Sequence, residues 1–195
     1  MEDLNITIKE VDELVNKYIS NPITKLHLLE TETIMSALAK RFGEDEEKWG
    51  IIGLLHDIDW DLTKDNSTEH CIKCQEILKE AGASEFLIET VISHGYSNDM
   101  IPKLKDKKRT TTIQHCLVAA ETLTGLVIAS TLMTPDKKLS NLSLKSLKKR
   151  FKAKNFAAKC NRELISECEK VDIPLDEFLQ IGLSSLQSIS DEIGL

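Results

Sequence analysis

Residues 53–71 read GLLHDIDWDLTKDNSTEHC. An apolar run ends on His56 and Asp57, then Asp59 and Asp61 follow, and His70 arrives near the end of the stretch. Such a segment can form a calcium loop, help assemble a transition-metal site, or make a polar helix end without chemistry. The calcium loop fits poorly. Asp57, Asp59 and Asp61 match the first three acidic positions of an EF-hand loop, but Leu62 stands where the sharp turn needs glycine and Thr68 where a bidentate glutamate belongs. Asp59 and Asp61 are therefore expected as helix-end caps or as supports for a ligand.

Helical spacing sorts the remaining candidates, because residues three, four and seven apart share a face. His27 lines up with Thr31, Ile34 and Leu38, and His56 with Trp49 and Ile52. His70 lines up with Cys74, Ile77 and Leu78, and His94 with Leu87 and Val91. Four of the five histidines thus lie on apolar stripes. Glu121 sits among Leu117, Val118, Thr124, Gly125 and Ile128 in the most apolar stretch of the chain. A buried carboxylate needs a cation or a proton, and no lysine or arginine follows Arg109 on that stretch. One histidine on an apolar face is more often a core residue than a ligand. Four of them with Asp57 and Glu121 are harder to dismiss together, since zinc, iron and manganese accept imidazole and carboxylate, and on faces alone a metal site and a set of core histidines stand about level. His115 lies on a different face from Glu121 and is expected to be structural or at the surface.

These residues need a scaffold. A chain of 195 residues can bury a real core, and its 41% hydrophobic and 29% charged content is that of a globular protein. The net charge of -7 argues against nucleic acid or a membrane surface as partner. MEDLNITIKE has no apolar core and is not expected to be a signal peptide. The longest apolar run, Leu123–Met133, falls short of the ~18 residues a membrane helix needs. Five cysteines without an even framework suggest reduced thiols and a cytoplasmic setting. Cys71 and Cys74 form a CxxC that lacks the second pair of a zinc ribbon, and Cys74, Cys116, Cys160 and Cys168 read as small buried hydrophobes.

The periodicity predicts an all-α chain, with helices near 7–20, 23–42, 46–57, 67–81, 84–94, 110–133, 143–152, 155–170 and 175–193. Lys103–Arg109 is expected to be a solvated, mobile loop. The expected organisation is a single domain over 1–195, with a core at about 20–135 and a C-terminal helical extension at about 136–195.

The order His27, His56-Asp57, His70, His94, Glu121 resembles the HD-domain superfamily of metal-dependent phosphohydrolases. The segments GLLHDIDWD, KLHLLETETIMSALA and CLVAAETLTGLVIAS carry the resemblance. STEHC and VISHGYS supply the two further histidines of its dimetal branches. With SLKKRFKAKNFAAKCNRELI, the chain looks like a small bacterial group within that superfamily. Glu121 departs from the pattern, which usually has Asp there; the extra methylene extends the carboxylate by roughly 1.5 Å.

The resemblance implies an HD-type helical bundle and a divalent transition metal, one or two ions of iron, manganese or zinc. Asp57 would bridge two ions and serve catalysis with His56. His27, His56 and Glu121 would hold one ion, and His70 and His94 the other. The implied substrate is a small phosphate ester, such as a nucleotide, attacked by a water whose pKa the metals lower. Lys145–Lys154 reads as a solvated basic face, and Lys149, Lys152 and Arg162 are candidates to hold substrate phosphate. Two alternatives share the ligand set: a mixed-valence di-iron oxygenase and a non-catalytic nucleotide-binding module.

Overall fold

Most helices begin where a side chain can satisfy the first free amides. Thr7 and Glu10 form a reciprocal capping box at α1 (Ile8–Tyr18). Asn21 caps α2 (Pro22–Phe42), whose first residue is a proline with no amide to leave unpaired. Asp45 caps α3 (Glu46–Leu55). After the short α4 (Trp60–Thr63) and α5 (Ile72–Glu80), Ser84 caps α6 (Glu85–Ile92). Gln114 accepts from the Thr110 and Thr111 amides at the start of α7 (Thr112–Leu132). Ser143 caps α8 (Leu144–Lys152) and Asn161 caps α9 (Arg162–Ile165). The chain ends in α10 (Leu175–Ser188) and α11 (Ser190–Ile193). The computed structural model describes residues 2–195, and no strand forms among them.

Three expected helices are broken, the one over 175–193 only at Ile189, between α10 and α11. The helix expected over 67–81 starts only at Ile72, because Cys71 adopts φ 64°, which a helix cannot accommodate. The helix expected over 155–170 is a run of turns until Arg162, then α9 and a 3₁₀ segment Ser166–Val171. There Ala157 takes φ 44°, and the Arg162 guanidinium binds backbone carbonyls across the loop.

The apolar helix α7 is the axis of the bundle, with α2, α8, α9, α10 and Ser166–Val171 packed against it. It fills nearly the whole of the expected helix at 110–133, and by length and composition it could cross a membrane; most of it lies buried inside the bundle. The second axis of order is the pairing of α2 with α3. A Cβ on Gly53 would lie 2.8 Å from the Glu32 backbone nitrogen and 2.9 Å from the Thr31 carbonyl oxygen. Glycine there lets the two backbones touch. One turn away on each helix stand His27 and His56, which this approach brings side by side.

A third device lies at the far end of α6. The loop Lys103–Arg109 is mostly exposed as expected, but Arg109 is not, its side chain being only 4% exposed. Arg109 makes two bonds to Glu167, at 2.7 and 2.8 Å, and donates to the Ser93 and Tyr96 carbonyls. His115 donates from Nδ1 to the same carboxylate at 2.7 Å, so this histidine is structural. The two carbonyls bracket His94, so the ion pair pins the turn that carries it.

Gly53→Ala should separate α2 from α3. The gain in helix propensity is about 1 kcal/mol, but the added methyl meets backbone that cannot rotate away, which costs roughly 1–3 kcal/mol. A lower Tm with weaker metal binding is expected, and an unchanged Tm would contradict the close approach.

Glu167 generates an acid-dependence. Burial alone would raise its carboxyl, but hydrogen bonds from Arg109 and His115 and the nearby charges outweigh it and hold it down at about 2. An unfolded glutamate titrates near 4.3, so this contribution is complete above about pH 5 and fades as the pH falls toward 2. Glu167→Gln should lose on the order of 3 kcal/mol at neutral pH and approach wild type in acid. Denaturant titrations across that range would detect it, and a stability gap independent of pH would refute an ionised Glu167.

Candidate metal centre

Helix ends carry most of the site. His27 projects from α2, while His56 and Asp57 follow the last turn of α3. His70 and Cys71 come from the turn before α5, and His94 from the 3₁₀ turn Ser93–Gly95 after α6. His56 donates from Nδ1 to the Gly53 carbonyl at 2.7 Å, and His94 does the same to Val91 at 2.7 Å. The last carbonyls of a helix have no intrahelical partner, so each histidine satisfies one and is oriented by it.

The other two histidines are fixed in the same sense. His70 Nδ1 donates to Asp59 Oδ1 at 2.9 Å. His27 Nδ1 faces Thr124 Oγ1 at 3.0 Å; that hydroxyl gives its own proton to the Glu121 carbonyl and so accepts from the imidazole. With every Nδ1 proton committed, Nε2 is the atom that all four residues offer to a partner. These atoms meet in pairs, His27 with His56 at 3.1 Å and His70 with His94 at 3.1 Å. Two facing nitrogens repel unless a proton or a metal ion lies between them.

Asp57 stands between the pairs. Its Oδ1 is 3.4 Å from His70 Nε2 and 3.3 Å from His94 Nε2. Its Oδ2 is 3.7 Å from His56 Nε2 and 3.9 Å from His27 Nε2. Ligands about 2.1 Å from one ion stand roughly 3.0–3.4 Å apart, so the closest of these spacings suit shared ions. Two groups of donor atoms converge, His27 with His56 and Asp57, and His70 with Cys71 and His94. The residues present therefore fit divalent metals, and the supporting bonds are those that fix a ligating histidine.

The electrostatics agree. Burial pushes the His56 pKa down to about 3, despite Asp57 beside it, so its imidazole is neutral and free to ligate. Burial also opposes charge on His70, but hydrogen bonds with Asp59 and Cys71 and the charge of Asp57 raise it to about 10, so without an ion its Nε2 holds a proton that a metal would displace. Asp57 is held well below the carboxylate range because the surrounding histidines outweigh its burial. A pocket that draws protons this strongly also draws cations.

Glu121 is brought near but not in. It lines a cavity with His27, Thr122, Thr124, Lys159 and Asn161, yet its carboxylate accepts from Thr122 Oγ1 at 2.6 Å and belongs to neither convergent group. Burial raises its pKa.

The phosphate candidates need correction. Arg162 donates to the carbonyls of Arg150, Phe151, Phe156, Ala157 and Cys160, and so is spent on holding the 151–161 loop. Lys149 and Lys152 line a groove on α8 with Leu144, Lys145 and Lys148, and no histidine borders it. The lysine at the cavity beside His27 is Lys159.

Asp59 and Asp61 divide as supports and caps. Asp59 is fully buried, holding His70 and accepting from the Cys74 amide, whereas Asp61 accepts from the Ser20 and Asn21 amides ahead of α2. Thr124, Cys71 and Lys159 were not expected at the site. Only Cys71 had a sequence signal, its place directly after His70.

No curated protein and no solved structure matches the chain. The HD domain model matches residues 25–125, about half of the chain and the span holding all six expected ligands. The chain belongs to the HD domain family, the fold of a superfamily of metal-dependent phosphohydrolases.

Proposed function

We propose that this protein is a metal-dependent phosphohydrolase acting on a small phosphate ester, nucleotides included. The observation that carries this reading is the Asp57 carboxylate, with one oxygen turned to each histidine pair. When bound, two divalent cations supply a water nucleophile at neutral pH and neutralise charge on a phosphoryl group. The chain's part is to hold them. His27, His56 and Asp57 form the set beside the open cavity, and His70, His94 and Asp57 the set behind it. Asp59 and Thr124 keep the imidazoles oriented. Glu121 lines the same cavity as His27. Lys159, at the same mouth, is placed to meet the substrate's phosphate.

Elemental analysis of protein purified without chelator should find about two transition-metal ions per chain. Asp57→Asn should lose most of both, and His56→Ala one, with phosphatase activity falling by about a hundredfold or more. Absence of metal in wild type would overturn the reading. Iron with substrate-dependent O₂ consumption would favour the oxygenase, and metal without turnover on a phosphoester panel the binding module.

Lys159→Ala should raise KM for a phosphate ester by about tenfold or more while metal content stays at the wild-type value, as expected for loss of one charge-assisted hydrogen bond. Lys149→Ala should change neither. A KM unaffected at position 159 would remove that lysine from the substrate site.

A further inference from the structure

The geometry points to Cys71 as a ligand of the ion held by His70, His94 and Asp57, which makes the two metal positions chemically different. This rests on the metal-hydrolase reading of the same site. The observations are independent of that reading. Cys71 adopts φ 64° and ψ −20°, a left-handed conformation that L side chains rarely occupy, and it is fully buried. Its Sγ lies 3.5 Å from His94 Nε2, and the donor atoms of His70, Cys71 and His94 all fall within 4.8 Å of one another. The neighbouring residue makes room for the sulfur: a Cβ on Gly95 would lie 2.7 Å from Sγ. The thiol is free, with no disulfide to account for it.

The consequence is a division of labour. Two imidazoles, a carboxylate oxygen and a thiolate complete a four-coordinate set, and sulfur favours zinc, cobalt or cadmium over manganese or magnesium. His27, His56 and Asp57 offer three donors of nitrogen and oxygen, leaving a position open on the side of the cavity that Lys159 borders. The sulfur-capped ion anchors the site, and the other faces substrate.

Cobalt(II) tests this directly. Chelator-stripped protein is titrated with cobalt, and bound metal is measured beside the near-ultraviolet absorption of thiolate-to-cobalt charge transfer. Wild type should show the band, Cys74→Ser and Cys160→Ser should retain it, and Cys71→Ser and Cys71→Gly should lose it. The glycine variant suits the left-handed backbone, so its circular dichroism should stay native. One of the two zinc ions should bind about tenfold or more weakly in both Cys71 variants. Cobalt bound to wild type without the band, or a band that survives in both Cys71 variants, would overturn the assignment and leave the hydrolase reading standing. Absence of bound cobalt would overturn both. The band without any phosphatase activity would retain the ligand and remove the hydrolase.

Discussion

Two pairs of imidazole nitrogens face each other across one carboxylate, and every Nδ1 proton is already used. Nitrogens brought this close need positive charge between them, a proton or a metal ion, so a bundle that gathers four of them around Asp57 is built around positive charge. The rest of the fold makes sense as the means of keeping those atoms together. The glycine contact between α2 and α3 sets His27 against His56. The Arg109–Glu167 pair clamps the turn that presents His94. Asp59, fully buried, fixes His70 and the start of α5 at once.

Placing ligands just past helix ends has a physical logic. Inside a helix, the carbonyl four residues ahead of an amide is taken; at the C-terminal end it is free. His56 and His94 each donate back to a carbonyl three residues earlier, so the end of the helix itself selects the tautomer. The same bond that completes the helix therefore aims Nε2 into the pocket. His27, within α2, has no free carbonyl of this kind and borrows the Thr124 hydroxyl from α7. The site is thus tied to the packing of α2 on α7 as well as to α3.

What was legible in the sequence were the residues whose role follows from type and helical spacing. His27 on α2, the His56-Asp57 pair ending α3 and the apolar helix around Glu121 stand near where the periodicity puts them. Direction was less legible than position. Glu121 lies on the expected helix, but its carboxylate accepts from Thr122 and joins neither convergent group, and periodicity cannot resolve a rotamer. The setting of His70 was illegible for another reason. A left-handed residue ends any helical wheel, so the face assigned to His70 did not exist. Asp61 and Asp59 look alike in DIDWD, yet one caps a loop near the surface and the other is sealed in the core.

The basic C-terminal stretch shows why charge alone misleads. Lys149, Lys152 and Arg162 were equivalent as cations, but a guanidinium offers five donors in a fixed fork and an ammonium three on a flexible stem. Only the fork can gather carbonyls from across a non-helical loop, and Arg162 does so from 150 to 160. That loop carries Lys159 to the cavity, and Asn161, which caps α9, closes the same wall. A continuous helix over 155–170 would pair the Phe156, Ala157 and Cys160 carbonyls with amides four residues on, and Arg162 would have no loop to gather.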